Sequence, residues 1–60
     1  MYRVLLLDDE PMALKTCRHA LAWEQFGMEV SIEETSAERA LQKLNTMHID
    51  IAIVDLHMIY

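Results

Sequence analysis

The alternation of hydrophobic and polar positions divides the chain into three strand-like and two helix-like segments. Ile51–Val54 is a continuous apolar run rich in β-branched residues, which predicts a strand covered on both faces of a sheet. Tyr2–Leu7 is a second strand-like run, and residues 28–32 alternate with a period of two, which predicts a half-exposed outer strand. Apolar residues recur at three- and four-residue spacing over 12–22 and 37–47, and this spacing predicts two helices.

Boundary residues support these segments. Pro11 suits the first turn of a helix, where its missing N–H costs nothing. Gly27 is the only glycine and predicts the end of the first helical region. Thr35 or Ser36 can cap the second helix, and Thr35 with Glu38 would form a capping box.

The predicted order is strand-helix-strand-helix-strand, which indicates an α/β fold. Connections between parallel strands are right-handed crossovers, so the helices should cover the faces of a parallel sheet. We predict the order 2-1-3 for this sheet. With the first strand central, the chain direction reverses beside it. Ligands of such sheets bind at that switch point, outside the carboxyl ends of the strands.

Acidic residues follow the first and third strands directly. Asp8, Asp9 and Glu10 come after the first strand, and Asp55 comes after the third. Because parallel neighbours end at the same sheet edge, we expect Asp8, Asp9 and Asp55 to lie together there. Glu10 could also be a ligand, but it suits the positive end of the following helix better.

Three carboxylates in one crevice repel one another unless a cation joins them. Hard oxygen ligands in an open crevice favour Mg²⁺, which retains waters and binds substrate phosphate. A metal-bound carboxylate beside a phosphoryl donor can itself be the nucleophile. The residues alone thus indicate a divalent-metal site suited to phosphoryl chemistry. The alternative is that these acids are strand-end caps exposed to water.

Composition narrows the function classes. Sixty residues allow one small domain, and an apolar content of 53% argues against disorder. The net charge of −5 without a basic cluster argues against nucleic-acid binding. A single cysteine, Cys17, suits a core position and fits a reducing cytoplasm. No apolar run reaches the roughly 18 residues of a membrane span, so we predict a cytoplasmic protein with no membrane partner.

Two motifs resemble a known family. VLLLDDEP at 4–11 and DIAIVDLHM at 50–58 are similar to the receiver domains of bacterial two-component response regulators. The resemblance covers residues 1–60 as a truncated receiver domain, the first half of a three-layer, flavodoxin-like (CheY-like) fold. Residues 22–30, AWEQFGMEV, are similar to receivers fused to AraC-type DNA-binding domains. A longer parent protein would then control transcription.

The resemblance implies a role for each acid. Asp55 would be the phosphoacceptor, phosphorylated by a partner sensor histidine kinase. Asp9 would ligate Mg²⁺ directly and Asp8 through water, while Asp55 and the backbone carbonyl of His57 would complete the protein ligands. The chain would be a phosphoacceptor and not an enzyme, with at most weak self-phosphorylation from small donors.

The resemblance also shows departures. Ile59 and Tyr60 follow Met58, where receivers continue with Pro and a Gly-containing loop. The fourth and fifth strands, with the switch Ser or Thr and the phosphoryl-pairing Lys, have no counterpart here. The third strand would then be an exposed edge, which predicts self-association through Ile51–Val54.

Two other functions stay open. One is a self-associating receiver fragment without phosphoryl chemistry. The other is a Mg²⁺-dependent phosphatase-like enzyme with an aspartyl nucleophile. Such enzymes place a second Asp two residues after the nucleophile, and His57 occupies that position here.

Overall fold

The computed structural model describes residues 1–55. Within this part, three strands form one parallel sheet in the order β2-β1-β3, and two α-helices connect them. The strands are β1 (Tyr2–Leu7), β2 (Met28–Glu34) and β3 (Ile51–Val54), and the helices are α1 (Pro11–Ala20) and α2 (Ala37–Thr46). The α/β fold and the predicted strand order are confirmed. No helix in residues 1–55 has both the length and the apolar character needed to cross a membrane.

The core lies on both faces of β1, whose last four residues are at most 7% exposed. Alternate residues of a strand point to opposite faces, so β1 supports two separate clusters. One cluster joins β1 to α1 and comprises Val4, Leu6, Leu14 and Trp23. The other joins β1 to β2 and α2 and comprises Leu5, Leu7, Ile32 and Ala40. The helices therefore lie on opposite faces, which makes three layers.

The end of α1 differs from the prediction. The helix ends at Ala20, and Leu21 is extended. A 3₁₀ helix follows at Trp23–Phe26, and the Trp23 indole N–H donates to the Arg18 carbonyl at 2.8 Å. This bond satisfies one of the last carbonyls of α1 and brings the indole onto the core. Gly27 ends the 3₁₀ helix and not α1, with a left-handed φ of 72° that glycine adopts without strain.

A β-bulge in β2 interrupts the period-two pattern that was predicted for residues 28–32. Val4 pairs with Val30 and Leu5 with Ile32, so Ser31 is the extra residue. Val30 packs against the cluster on the α1 side, whereas Ile32 belongs to the cluster on the α2 side. The strand is outer, as predicted, but Ile32 lies on the face opposite Met28 and Val30. It also continues two residues beyond the predicted end, to Glu34.

Helix α2 begins with Ser36 as its cap, since the Ser36 hydroxyl accepts from the Arg39 N–H at 3.3 Å. Arg39, and not Glu38, therefore occupies the capping-box position. Of the predicted apolar face, Ala40 is buried, but Leu41 and Leu44 are 63% and 40% exposed. The helix touches the sheet through its small residue and turns its large apolar residues toward water.

Strand β3 is not covered on both faces, contrary to the prediction from its apolar run. Ile53 and Val54 are 41% and 36% exposed. The reason is topological: among residues 1–55, β3 is an outer strand and pairs with β1 alone. The predicted exposed edge is thus present, while pairing of that edge with another chain stays a prediction.

Candidate functional site

The three predicted acids lie at the carboxyl edge of the sheet, between β1 and β3. Leu7 is opposite Val54 in the parallel register, so Asp8 and Asp55 leave the sheet side by side. Hydrogen bonding continues one residue past each strand. The Asp55 N–H donates to the Leu7 carbonyl at 2.9 Å, and the Asp8 N–H donates to the Glu34 carbonyl at 3.1 Å. The backbone of both acidic residues is therefore held by the sheet.

The side chains converge as their strand-end positions predict. One carboxylate oxygen from each of Asp8, Asp9 and Asp55 lies within 4.8 Å of the others, with Asp8 and Asp55 half-buried and Asp9 exposed. Opposite ligands of an octahedral Mg²⁺ are about 4.2 Å apart, because each Mg–O bond is about 2.1 Å. The cluster fits such an ion if the oxygens close slightly or if one carboxylate binds through water. Metal binding itself stays a prediction.

Asp8 has a second function in the fold. Its Oδ1 accepts from the Glu10 N–H at 3.0 Å, so the carboxylate is bonded to the residue that precedes α1. Glu10 adopts an extended conformation, and its carbonyl accepts from the N–H groups of Ala13 and Leu14. Glu10 is therefore the N-cap residue of α1 and begins the helix with its backbone carbonyl. The turn after β1 thus orients one acid of the cluster and begins the helix.

An apolar hollow of about 130 Å³ adjoins the cluster, between α1 and β3. Asp8 and Asp55 border it on one side, and Leu14, Cys17 and Ile53 are among its apolar walls. Cys17 is half-buried and packs against the α1-side cluster, which agrees with its predicted core position. Low-dielectric walls beside the acids strengthen their field at a bound cation.

Sequence reasoning missed Glu34, the last residue of β2, which is only 6% exposed. Its carboxylate accepts from Lys43 Nζ at 2.7 Å and from Arg39 Nε at 2.9 Å. It also accepts from the Thr35 and Ser36 N–H groups at 3.0 and 3.3 Å. The Lys43 and Arg39 cations, in that order, lower the Glu34 pKa from its ordinary value of 4.5 to about 2.

The sequence contains a pattern that could have predicted the ion pairs of Glu34. Arg39 and Lys43 are one helical turn apart, so both can face an acid that ends the preceding strand. The hydrophobic pattern could not reveal this contact, because it identifies apolar faces and not ion pairs.

A second polar group lies at the opposite, amino edge of the sheet. The Asp50 carboxylate accepts from the Arg3 N–H at 2.8 Å and contacts His48 Nε2 at 2.8 Å. The Arg3 N–H, followed by His48, lowers the Asp50 pKa. This group fixes the entry into β3 and lies apart from the acid cluster. His57, whose backbone carbonyl was predicted to bind the metal, lies outside the described residues.

No family model, curated protein or solved structure matches the chain. The relation to response-regulator receivers is therefore a resemblance carried by the two acidic motifs and their spacing. The α/β fold and the convergence of three carboxylates are observations that do not depend on this resemblance.

Proposed function

We propose that the chain is the first half of a flavodoxin-like receiver and serves as the phosphoacceptor module of a two-component response regulator. A partner histidine kinase would phosphorylate Asp55 in the presence of Mg²⁺. The observation that carries this proposal is the approach of Asp8, Asp9 and Asp55 to within 4.8 Å at the carboxyl edge of a parallel sheet. The similarity of residues 22–30 to AraC-type receivers supports a parent protein that controls transcription.

In this proposal Asp55 is the nucleophile. A carboxylate oxygen of Asp55 attacks the phosphorus of the kinase phosphohistidine, the P–N bond breaks, and an acyl phosphate forms on Asp55. The electron pair of the broken bond leaves with the imidazole, which takes up a proton. The bond between the Asp55 N–H and the Leu7 carbonyl holds the nucleophile at the sheet edge.

Asp9 and Asp8 would hold the cation, Asp9 directly and Asp8 through water. A bound Mg²⁺ offsets the repulsion between the attacking carboxylate and the phosphoryl oxygens. Asp9 is the most exposed of the three acids, which suits a ligand that meets an ion from solvent. The half-buried Asp8 is already engaged with the Glu10 N–H, which suits a positioned acceptor for a metal-bound water.

Labelling by acetyl phosphate tests the proposal. We expect the wild-type chain to gain one phosphoryl group when Mg²⁺ is present and Asp55→Asn to gain none, as read by intact mass. Asp50→Asn is the matched control, because Asp50 flanks the other end of β3 at the edge away from the cluster. Circular dichroism of both variants verifies the fold. Labelling of Asp55→Asn, or labelling that persists in a metal chelator, would contradict the proposal.

A second measurement addresses the pocket without covalent chemistry. Beryllofluoride with Mg²⁺ mimics an acyl phosphate, so the amide signals of Asp8, Asp9 and Asp55 should shift in an NMR spectrum. A well-dispersed spectrum that ignores both additions would show a fold without the proposed chemistry. Repeated release of phosphate from a small donor, beyond one equivalent per chain, would favour the phosphatase-like enzyme.

Self-association is the second candidate, and the surface beside β3 favours it. Ile53 and Val54 are partly exposed on an edge strand, and exposed apolar edges pair with other chains. An apolar groove of about 230 Å³ between α2 and β3 lies next to them. A two-fold axis through paired β3 edges would join two such surfaces.

Light scattering across a concentration series tests this second candidate. We expect a mass above that of the monomer for the wild type and a monomeric mass for Ile53→Lys, which places a charge on the edge. A monomeric wild type that unfolds cooperatively would rule it out. Association without Mg²⁺-dependent labelling would favour a fragment that assembles but carries no phosphoryl chemistry.

A further inference from the structure

Glu34 contacts the acid cluster through its main chain. Its carbonyl accepts from the Asp8 N–H at 3.1 Å. On the other side of β1, the Leu7 carbonyl accepts from the Asp55 N–H. The two half-buried acids of the cluster are thus attached to different neighbours, Asp8 to the end of β2 and Asp55 to the end of β1. The direction of the Glu34 carbonyl therefore bears directly on where Asp8 lies.

Four hydrogen bonds hold the Glu34 side chain. Oε1 accepts from the Thr35 N–H, the Ser36 N–H and Arg39 Nε, while Oε2 accepts from Lys43 Nζ. These donors come from the junction between β2 and α2 and from the first two turns of α2. Since the carboxylate and the carbonyl belong to the same residue, fixing one restricts the rotation of the other.

Helix α2 does not need this carboxylate as a cap, because Ser36 already accepts from the Arg39 N–H. A buried ion pair is also a poor source of stability, since desolvation offsets most of the Coulomb attraction. A well-packed apolar residue would hold the junction about as well. The buried acid makes physical sense as a device that sets direction, because charge-assisted bonds are short and geometrically specific.

We infer that Glu34 is a positioning residue for Asp8: its side chain, held by Arg39 and Lys43, fixes the main-chain carbonyl that binds the Asp8 N–H. The inference deepens the proposed function, because it gives the start of α2 a part in the geometry of the metal site. Partners of metal ligands commonly change metal affinity about 10–100-fold when substituted. Glu34 acts through the backbone, one step further away, so the effect should fall near the lower figure.

The test uses the isotope-labelled 60-residue chain and two NMR readouts. The first is the scalar coupling across the bond from the Asp8 N–H to the Glu34 carbonyl, measured without metal. The second is the apparent Mg²⁺ affinity from the shifts of Asp8, Asp9 and Asp55. In Glu34→Gln we expect the coupling to fall below detection and Mg²⁺ to bind about ten-fold more weakly. The coupling from the Asp55 N–H to the Leu7 carbonyl should persist.

Glu33→Gln is the matched control, because it removes the same charge one residue earlier. Glu33 is paired with Arg18 at 2.6 Å and makes no bond to the β2–α2 junction. We expect it to keep both readouts. A merely structural Glu34 would give a variant that unfolds more easily but keeps the coupling and the Mg²⁺ affinity, and that result would overturn the inference.

Lys43→Met covers the case in which Glu34→Gln does not fold. This substitution removes one of the four donors to the Glu34 carboxylate and keeps an apolar stem. We therefore expect the Asp8 coupling and the Mg²⁺ affinity to fall by less than in Glu34→Gln. An unchanged Asp8 coupling would count against the inference. If the wild type fails to bind Mg²⁺, the proposed function fails. The metal-free coupling still decides the role of Glu34.

Discussion

Leu5→Ala offers the most direct test of the packing beneath the sheet. Leu5 is 1% exposed and lies in the α2-side cluster with Leu7, Ile32 and Ala40. It also borders the groove of about 230 Å³ between α2 and β3. The space left by the truncated side chain would therefore be continuous with an opening to water.

The expected loss follows from that environment. Leu→Ala removes three carbon atoms, and each buried CH₂ is worth about 0.8 kcal/mol, which makes about 2.4 kcal/mol. An enclosed cavity would add to this figure, but the opening beside Leu5 limits the added cost. We expect a loss of about 2–3 kcal/mol. Stabilities of about 0.05–0.15 kcal/mol per residue give about 3–9 kcal/mol for a chain of this size, so the loss is a large share.

Urea unfolding followed by circular dichroism measures the free energy of unfolding. Leu41→Ala is the matched control, because Leu41 is 63% exposed on α2 and borders the same groove. The same chemical change should cost it less than about 0.5 kcal/mol. Equal losses for the two variants would refute the reasoning. They would mean that the groove is covered in solution, and a dependence of unfolding on protein concentration would identify a second copy as the cover.

Three further predictions concern single residues. Because the Glu34 pKa is about 2 in the folded state and 4.5 ordinarily, the contribution of this carboxylate to the free energy of unfolding is complete above pH 4.5. It declines as pH falls toward 2. Urea midpoints over this window should therefore fall more steeply for the wild type than for Glu34→Gln. Ser36→Ala should lose about 1 kcal/mol with its cap, whereas Thr16→Ala, whose hydroxyl bonds only within α1, should change little. Gly27→Ala should lose about 1–2 kcal/mol from its left-handed backbone alone, because no atom lies within 4 Å of the added carbon.

Each of these three predictions has an outcome that would contradict it. Parallel pH profiles for the wild type and Glu34→Gln would show that other groups cause the acid sensitivity. Equal losses for Ser36→Ala and Thr16→Ala would remove the special role of the cap. If Gly27→Asn recovers none of the stability that Gly27→Ala loses, steric cost at a positive φ is not the cause, since Asn tolerates that conformation better than Ala.

Short-range patterns determined the elements and their order in this protein. The apolar runs at Tyr2–Leu7 and Ile51–Val54 predict strands because side-chain alternation and burial are properties of a few consecutive residues. Right-handed crossovers then place the helices on the faces of a parallel sheet. Asp8, Asp9 and Asp55 follow strands directly, so topology alone brings them to one edge.

Only the tertiary structure decided the register, the faces that are covered and the ion pairs. The bulge at Ser31 moves Ile32 to the face opposite Val30, because pairing with β1 overrides the local period of two. Glu34 is buried because α2 places Arg39 and Lys43 beside it. The apolar run of β3 stays partly exposed because coverage depends on which elements lie next to it. These features depend on contacts between residues distant in sequence, which local periodicity does not encode.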